Sequence, residues 1–227
     1  MTSGLQSRSR EALGSTMRSA SRREPPAVGI RADTLLTRRV RRNTIGPVEP
    51  YPRWRYFPSY VAPPSWVPDI VAVFAVARAS IDSMVEHEKR RESDDVLAIV
   101  APALVELGFV VESGKTKSGK LPRPVSFGDE GTVLRTYEID AFQAEHGIAL
   151  EVEAGRATMG NNIYRDLVQG SLMVDAKFLV VAVPVEYRYG ERPTREPSYA
   201  KCYSLVDAIY GSPRLNLPFE GLLLIGY

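Results

Sequence analysis

Cysteine is almost missing from this chain: the single copy, Cys202, excludes an intramolecular disulfide and any cysteine-based zinc site, and it fits a reducing compartment. Histidine is nearly as scarce. His87 and His146 are too far apart in pattern for a zinc motif, and both are read as non-catalytic. Long apolar runs are lacking too: Ile70 to Ala77 is the longest, far short of the roughly 20 residues a membrane span needs, and the N-terminus shows no apolar signal region. The expectation is a soluble, cytoplasmic protein without a membrane partner. No P-loop, dinucleotide fingerprint or Ser-His-Asp arrangement is present, which removes three large enzyme classes.

What the sequence does hold is unevenly spread. A chain of 227 residues with 44% hydrophobic content supports one substantial core plus appendages. Residues 1–60 contain 12 Arg, no Lys and 4 acids, a net +8, which leaves −6 for residues 61–227. The basic part is Ser-, Arg- and Pro-rich with little periodicity, so it cannot bury enough apolar surface to offset the entropy of ordering. Residues 1–50 are therefore expected to form a disordered basic tail, whose Arg clusters are either phosphate-attracting or simply solvated. Residues 51–92 read as an aromatic, proline-rich strap (Trp54, Tyr56, Phe57, Tyr60, Trp66) followed by a helix over about 68–88, and residues 93–227 as an α/β domain.

Within that domain, Ser93-Asp94 offers an N-cap for a helix with Val96, Ile99, Val100, Ala103, Leu104 and Leu107 at steps of three and four, ended by Gly108 and interrupted by Pro102. The period then changes to strands. Phe109 to Ser113 is one, residues 114–120 are a Lys- and Gly-rich loop, and Tyr137 to Phe142 and Ile148 to Ala154 form a hairpin through Glu145-His146-Gly147. Asn161 or Asn162 caps a helix reaching about Asp175, and Phe178 to Pro184 is an apolar strand that needs cover on both faces. A Tyr-rich loop (187–199), a short helix near 202–210 and a strand from Leu222 to Ile225 complete a mixed sheet flanked by helices.

The acids carry the chemical signal. Side chains alternate along a strand, so Glu151 and Glu153 share one face while Leu150, Val152 and Ala154 take the other. An even-numbered hairpin loop places Asp140 on the acidic face, opposite Glu151 or, two residues shifted, Glu153; an odd loop separates them. Carboxylates so close repel one another, and a hard divalent cation resolves the repulsion. Oxygen-only ligation favours Mg²⁺ or Mn²⁺, with water and a phosphate oxygen completing the shell. The bland reading of Glu-X-Glu is a solvent-facing strand with unrelated acids.

The combination of Ile139-Asp140, a short turn, Ala149-Leu150-Glu151-Val152-Glu153 and a capped helix carrying Arg165-Asp166-Leu167 resembles the PD-(D/E)XK nuclease superfamily, in particular its BamHI- and BglII-like restriction endonucleases. The resemblance covers about 90 residues, from about Asp94 to Pro184. It implies a restriction-endonuclease-like core of order α-β-β-β-α-β, with Asp140 and Glu151 as metal ligands. It further implies a Mg²⁺-dependent endonuclease acting on nucleic acid, with DNA the expected partner and a 5′-phosphate left on the product. Related restriction enzymes act as dimers, which makes a homodimer the assembly to test.

The family commonly has Lys at the third motif position; here it is Glu153, which as a catalytic residue would accept a proton from water or bind a second ion, while Lys115, Lys117 or Lys120 supplies the missing positive charge. Members often carry a further acid on the first core helix, and Glu92 and Asp95 are candidates, with helix capping as their alternative. Arg156 and Arg165 are candidate phosphate contacts, Arg165 alternatively pairing with a nearby acid. Lys115, Lys117, Lys120 and Arg123 form a basic loop suited to backbone contacts with DNA, or merely a solvated one. Without a motif lysine, the competing reading is a catalytically inactive nuclease-like module that binds nucleic acid or a protein.

Overall fold

The computed structural model describes residues 50–86, 91–114, 116–155, 157–158, 160–189 and 194–227. The tail assigned to residues 1–50 lies outside them except for Pro50, as do His87, Lys115 and Arg156. In chain order the elements are β1 (Arg53–Phe57), α1 (Val67–Val76), α2 (Arg78–Ile81), α3 (Ser93–Glu106), β2 (Phe109–Val111), β3 (Leu121–Phe127), β4 (Val133–Ile139), β5 (Ala141–Gln143), β6 (Ile148–Val152), α4 (Asn162–Leu172), β7 (Phe178–Val183), β8 (Tyr187–Tyr189), β9 (Thr194–Glu196), α5 (Ser198–Tyr210) and β10 (Gly221–Gly226).

The protein is a mixed α/β fold around a six-stranded sheet of order β1-β10-β7-β6-β5-β2. β7 runs parallel to both β6 and β10, while the pairs β1/β10, β5/β6 and β2/β5 are antiparallel. Leu179 to Val183 are all fully buried, as an apolar β-branched strand between two parallel neighbours must be. Alternation divides the core in two. Ile148, Leu150 and Val152 of β6 pack with α1 and α3 on one side of the sheet, and Ala149 packs with Ile163 and Leu167 of α4 and Cys202 and Val206 of α5 on the other. Glu151 and Glu153, in phase with Ala149, thus lie on the side of α4.

Several boundaries differ from the sequence expectation, each for a local reason. The helix expected over 68–88 stops at Ile81. There the Asp82 carboxylate accepts from the Met84 N–H at 2.9 Å, and the Ser83 hydroxyl donates to the backbone oxygen of Tyr227, so side chains take over the backbone partners. Glu92, not Ser93, is the N-cap of α3, and the helix continues through Pro102. α4 ends at Leu172 instead of Asp175, because the Val174 N–H turns to the Pro124 carbonyl at 3.1 Å; Leu172 itself is half-exposed and outside the core. The aromatic strap contains a true edge strand, β1, paired with β10.

The largest departure is the β3/β4 hairpin, a separate two-stranded sheet. Pro122 and Pro124 argue against a strand by sequence rules, yet in a two-stranded arm a proline whose nitrogen faces outward loses no ladder bond. Residues Val133 to Thr136 are all exposed, so no buried face imprinted a period on β4. The expected strand from Tyr137 to Phe142 is split: β4 belongs to the hairpin, β5 to the main sheet, and Asp140 is the residue between them. The Tyr-rich loop likewise contains the small β8/β9 ladder.

Leu150, fully buried opposite Glu151, tests how strongly the core fixes this strand. Leu150→Ala should cost about 2–5 kcal/mol in unfolding free energy, read as a lower urea midpoint at unchanged slope.

Candidate active site at the end of the central hairpin

The β5/β6 turn spans 144–147, an even number, and the register places Ala141 opposite Leu150, so Asp140 falls opposite Glu151. Because β5 stops at Ala141, the Val152 N–H on that edge has no strand carbonyl to meet. The Asp140 carboxylate accepts it at 2.7 Å, while the Asp140 carbonyl accepts from the Glu112 N–H at 2.8 Å. On the other edge the Glu153 N–H donates to the Ala182 carbonyl at 2.8 Å, and the Tyr227 hydroxyl donates to the Glu153 carbonyl at 2.9 Å. The strand end that carries the acids is therefore pinned from both sides.

Asp140 and Glu151 stand opposite each other across the hairpin and both line the same cleft. Burial pushes Asp140 up to about 6, helped by the charge of Glu112; the Val152 N–H opposes the rise. Burial, and then the neighbouring Asp140 charge, raises Glu151 well above the usual carboxylate range, so the pair as a unit favours holding a proton or a cation. Together they form one wall of an open cleft of about 420 Å³ whose other walls are Glu112 and Lys120, residues 136–139 of β4, and Arg165 and Gln169 of α4.

Glu153 stands one step behind this pair. It is only 7% exposed, and both of its oxygens are engaged: Oε2 accepts from Asn162 Nδ2 at 3.0 Å and Oε1 from Arg165 Nη2 at 3.1 Å. Arg165 also donates to Asp166 Oδ1 from Nε and Nη2, at 3.2 and 3.1 Å, so it takes the acid-pairing role while still bordering the cleft. Asp166, on the buried side of α4, is pushed up to about 7 by its burial and by the Glu153 charge, against the pull of Arg165.

The other candidates divide. Lys120 borders the cleft and ion-pairs with Glu112 at 2.8 Å, a bond that raises its own pKa, with Asp140 acting in the same direction. Lys117 is exposed in a short 3₁₀ turn (Lys117–Gly119) and does not line the cleft. Arg123 is drawn away from any phosphate role as it stands: its guanidinium lies 3.8 Å over the Phe142 ring and pairs with Asp175, tying the hairpin to the segment after α4. Glu92 and Asp95 form a capping box on α3, with the Glu92 N–H bonded to Asp95 Oδ2 at 3.0 Å, and neither lines the cleft. His146 serves the turn, its N–H donating to Gln143 Oε1 at 2.9 Å.

Sequence reasoning missed Glu112 and Asp166 as members of the site. Glu112 follows β2 with no motif to mark it. Asp166 had a readable signal: three residues after Ile163 and four before Gly170, it shares the buried side of α4 with Ile163 and Leu167. The helix starts after Asn161, which adopts φ 57, a left-handed value asparagine tolerates, and whose carbonyl receives the Tyr164 N–H at 3.1 Å.

The donors present suit a hard divalent cation. They are all oxygen, the buried Glu151 and the half-buried Asp140 line one cleft, and Asp166 Oδ2 is a buried oxygen without a hydrogen-bond partner. As the side chains stand, no three acidic, histidine or cysteine groups among the described residues surround a common ion position. No helix among the described residues is long and apolar enough to cross a membrane.

The raised carboxyls have a signed consequence. Each holds its proton more tightly in the folded chain than its ordinary value of 3.8, so this contribution to stability is fully present below about pH 4 and lost as pH rises through about 6 for Asp140 and about 7 for Asp166. In chelator, Asp140→Asn should make the fall in urea-measured stability between pH 4 and 7 shallower by on the order of 1 kcal/mol; an identical slope in both proteins would contradict the burial argument.

No known protein family matches the chain, and no curated protein matches it.

Proposed function

We propose that this protein is a metal-dependent nuclease that hydrolyses phosphodiester bonds, with DNA as the preferred substrate. The observation that carries the reading is the placement of Asp140 and Glu151 opposite each other in an open cleft bordered by Lys120 and Arg165. Two acids adjoining two cations suit a phosphodiester: the acids hold a cation, and the cations meet phosphate oxygens. The element order α3-β2-β5-β6-α4-β7, with the β3/β4 hairpin inserted, supports a restriction-endonuclease-like core.

Asp140 and Glu151 would hold Mg²⁺ or Mn²⁺, which when bound lowers the pKa of water and offsets charge developing on the phosphate. The chain's own residues do the remainder. The Val152 N–H fixes the Asp140 carboxylate so that its second oxygen is presented without a rotamer search. Lys120 brings an ammonium to the place where the sequence motif has none, with Glu112 holding it at the rim. Arg165 is anchored through Glu153 and Asp166 and remains half-exposed, a position from which a guanidinium can orient a phosphate. Glu153, with both oxygens occupied, acts as the anchor of Arg165 and not as the proton acceptor.

A supercoiled-plasmid nicking assay with Mg²⁺ or Mn²⁺ tests the reading. Asp140→Ala and Glu151→Ala should each reduce cleavage by about 10²-fold or more, and Lys120→Met should reduce it without abolishing cation binding. Nucleic-acid binding with equal, metal-independent behaviour of all four proteins would instead identify a binding module without catalysis, the alternative favoured by the engagement of both Glu153 oxygens.

A further inference from the structure

Arg165 and Gln169 stand four residues apart on α4, and both line the cleft. Asn162, on the same side of the helix, is engaged by Glu153, and Arg165 by Glu153 and Asp166. Gln169 is the exception. It is half-buried, and among the described residues its side-chain amide has no hydrogen-bond partner. Its backbone is nevertheless firmly seated. At the next residue, Gly170, an added Cβ would come within 3.1 Å of the Phe219 ring, so this turn of α4 sits close against the core. A cleft-lining amide on a packed helix thus holds out a donor and an acceptor together.

The cation and the phosphate are accounted for without it. Asp140 and Glu151 suit the ion, and Lys120 and Arg165 suit phosphate oxygens, for which a neutral amide is the weaker partner. An amide matches a group that donates and accepts side by side. In duplex DNA the major-groove edge of adenine is such a group, with the N6 amine donating beside the N7 acceptor. Guanine shows two acceptors there, cytosine a donor and thymine an acceptor.

We infer that Gln169 is a specificity-determining residue that reads an adenine close to the scissile phosphate. This rests on the proposed nuclease reading of the cleft and adds to it a base preference that neither the acids nor the cations supply. Residues four apart on a helix are separated by about 6 Å along its axis, and successive phosphates of one strand by about 3.4 Å along the duplex. With Arg165 on the phosphate, the amide one turn further along α4 therefore falls within about two base steps of it.

The test maps cleavage by the full chain with Mg²⁺ on DNA duplexes randomised on both sides of the cut, then measures kcat/KM on one preferred duplex carrying either adenine or 7-deazaadenine, which lacks the N7 acceptor. The wild type should prefer adenine within about two steps of the cut and should lose about fivefold or more in kcat/KM with the deaza base. Gln169→Met keeps the length of the side chain and removes both hydrogen-bonding functions. It should lower kcat/KM on the adenine duplex by about 5- to 150-fold and cut the two duplexes equally, whereas a residue that only packs would leave the distinction between them intact. A wild type that cuts without an adenine preference, or a Gln169→Met protein that still separates adenine from its deaza form, overturns the role of Gln169 and leaves the nuclease standing. A wild type that cuts no duplex overturns both.

Discussion

The structure of this site depends on one hydrogen bond, from the Val152 N–H to the Asp140 carboxylate. It exists because β5 is only three residues long and leaves β6 with an unpaired edge donor at the point where the chain arrives from the β3/β4 hairpin. A side chain must complete the ladder there, and an acid that does so is brought against Glu151 on the neighbouring strand. Burial then converts proximity into chemistry. Two carboxyls in one corner cannot both ionise without a counter-charge, so the fold creates a demand for a proton or a cation.

That demand is arranged in layers. At the front, Asp140 and Glu151 face the cleft with Lys120 at its rim. Beside them, Arg165 of α4 is clamped between Glu153 and Asp166 while still bordering the cleft. The crossover from β6 through α4 to β7 makes this possible, since it lays the polar side of α4 over the acidic face of β6 while Ile163 and Leu167 seal the core beside it. The hairpin closes the opposite side of the cleft, held down by Arg123 against Phe142 and Asp175. A residue that looked suited to phosphate thus became part of the frame.

The acid pair was legible in part: alternation puts Asp140 and Glu151 on one face for an even turn and on opposite faces for an odd one, and the structure supplies the turn of four. β7 was equally legible, because an unbroken β-branched run leaves little choice but a buried parallel strand. The roles of Glu153, Glu92 and Asp95 were not. Parity places Glu153 on the right face but says nothing of Asn162 and Arg165, which reach it from another element. The spacing of Glu92 and Asp95 fits a capping box and an accessory acid alike, and only the direction of the α3 terminus separates the two.

The sequence by itself determined which strands are buried and which residues face together along each strand, because these follow from local periodicity; that two acids meet across the central hairpin waited on the turn length. Tertiary structure decided which charges cancel. The pairing of Lys120 with Glu112, the withdrawal of Arg123 into the hairpin base and the stranding of one Asp166 oxygen all join residues from separate elements, and a long side chain's partner is set by how those elements pack. For that reason the location of the candidate site could be read along the chain, while its division into ligands, anchors and frame could be read only in three dimensions.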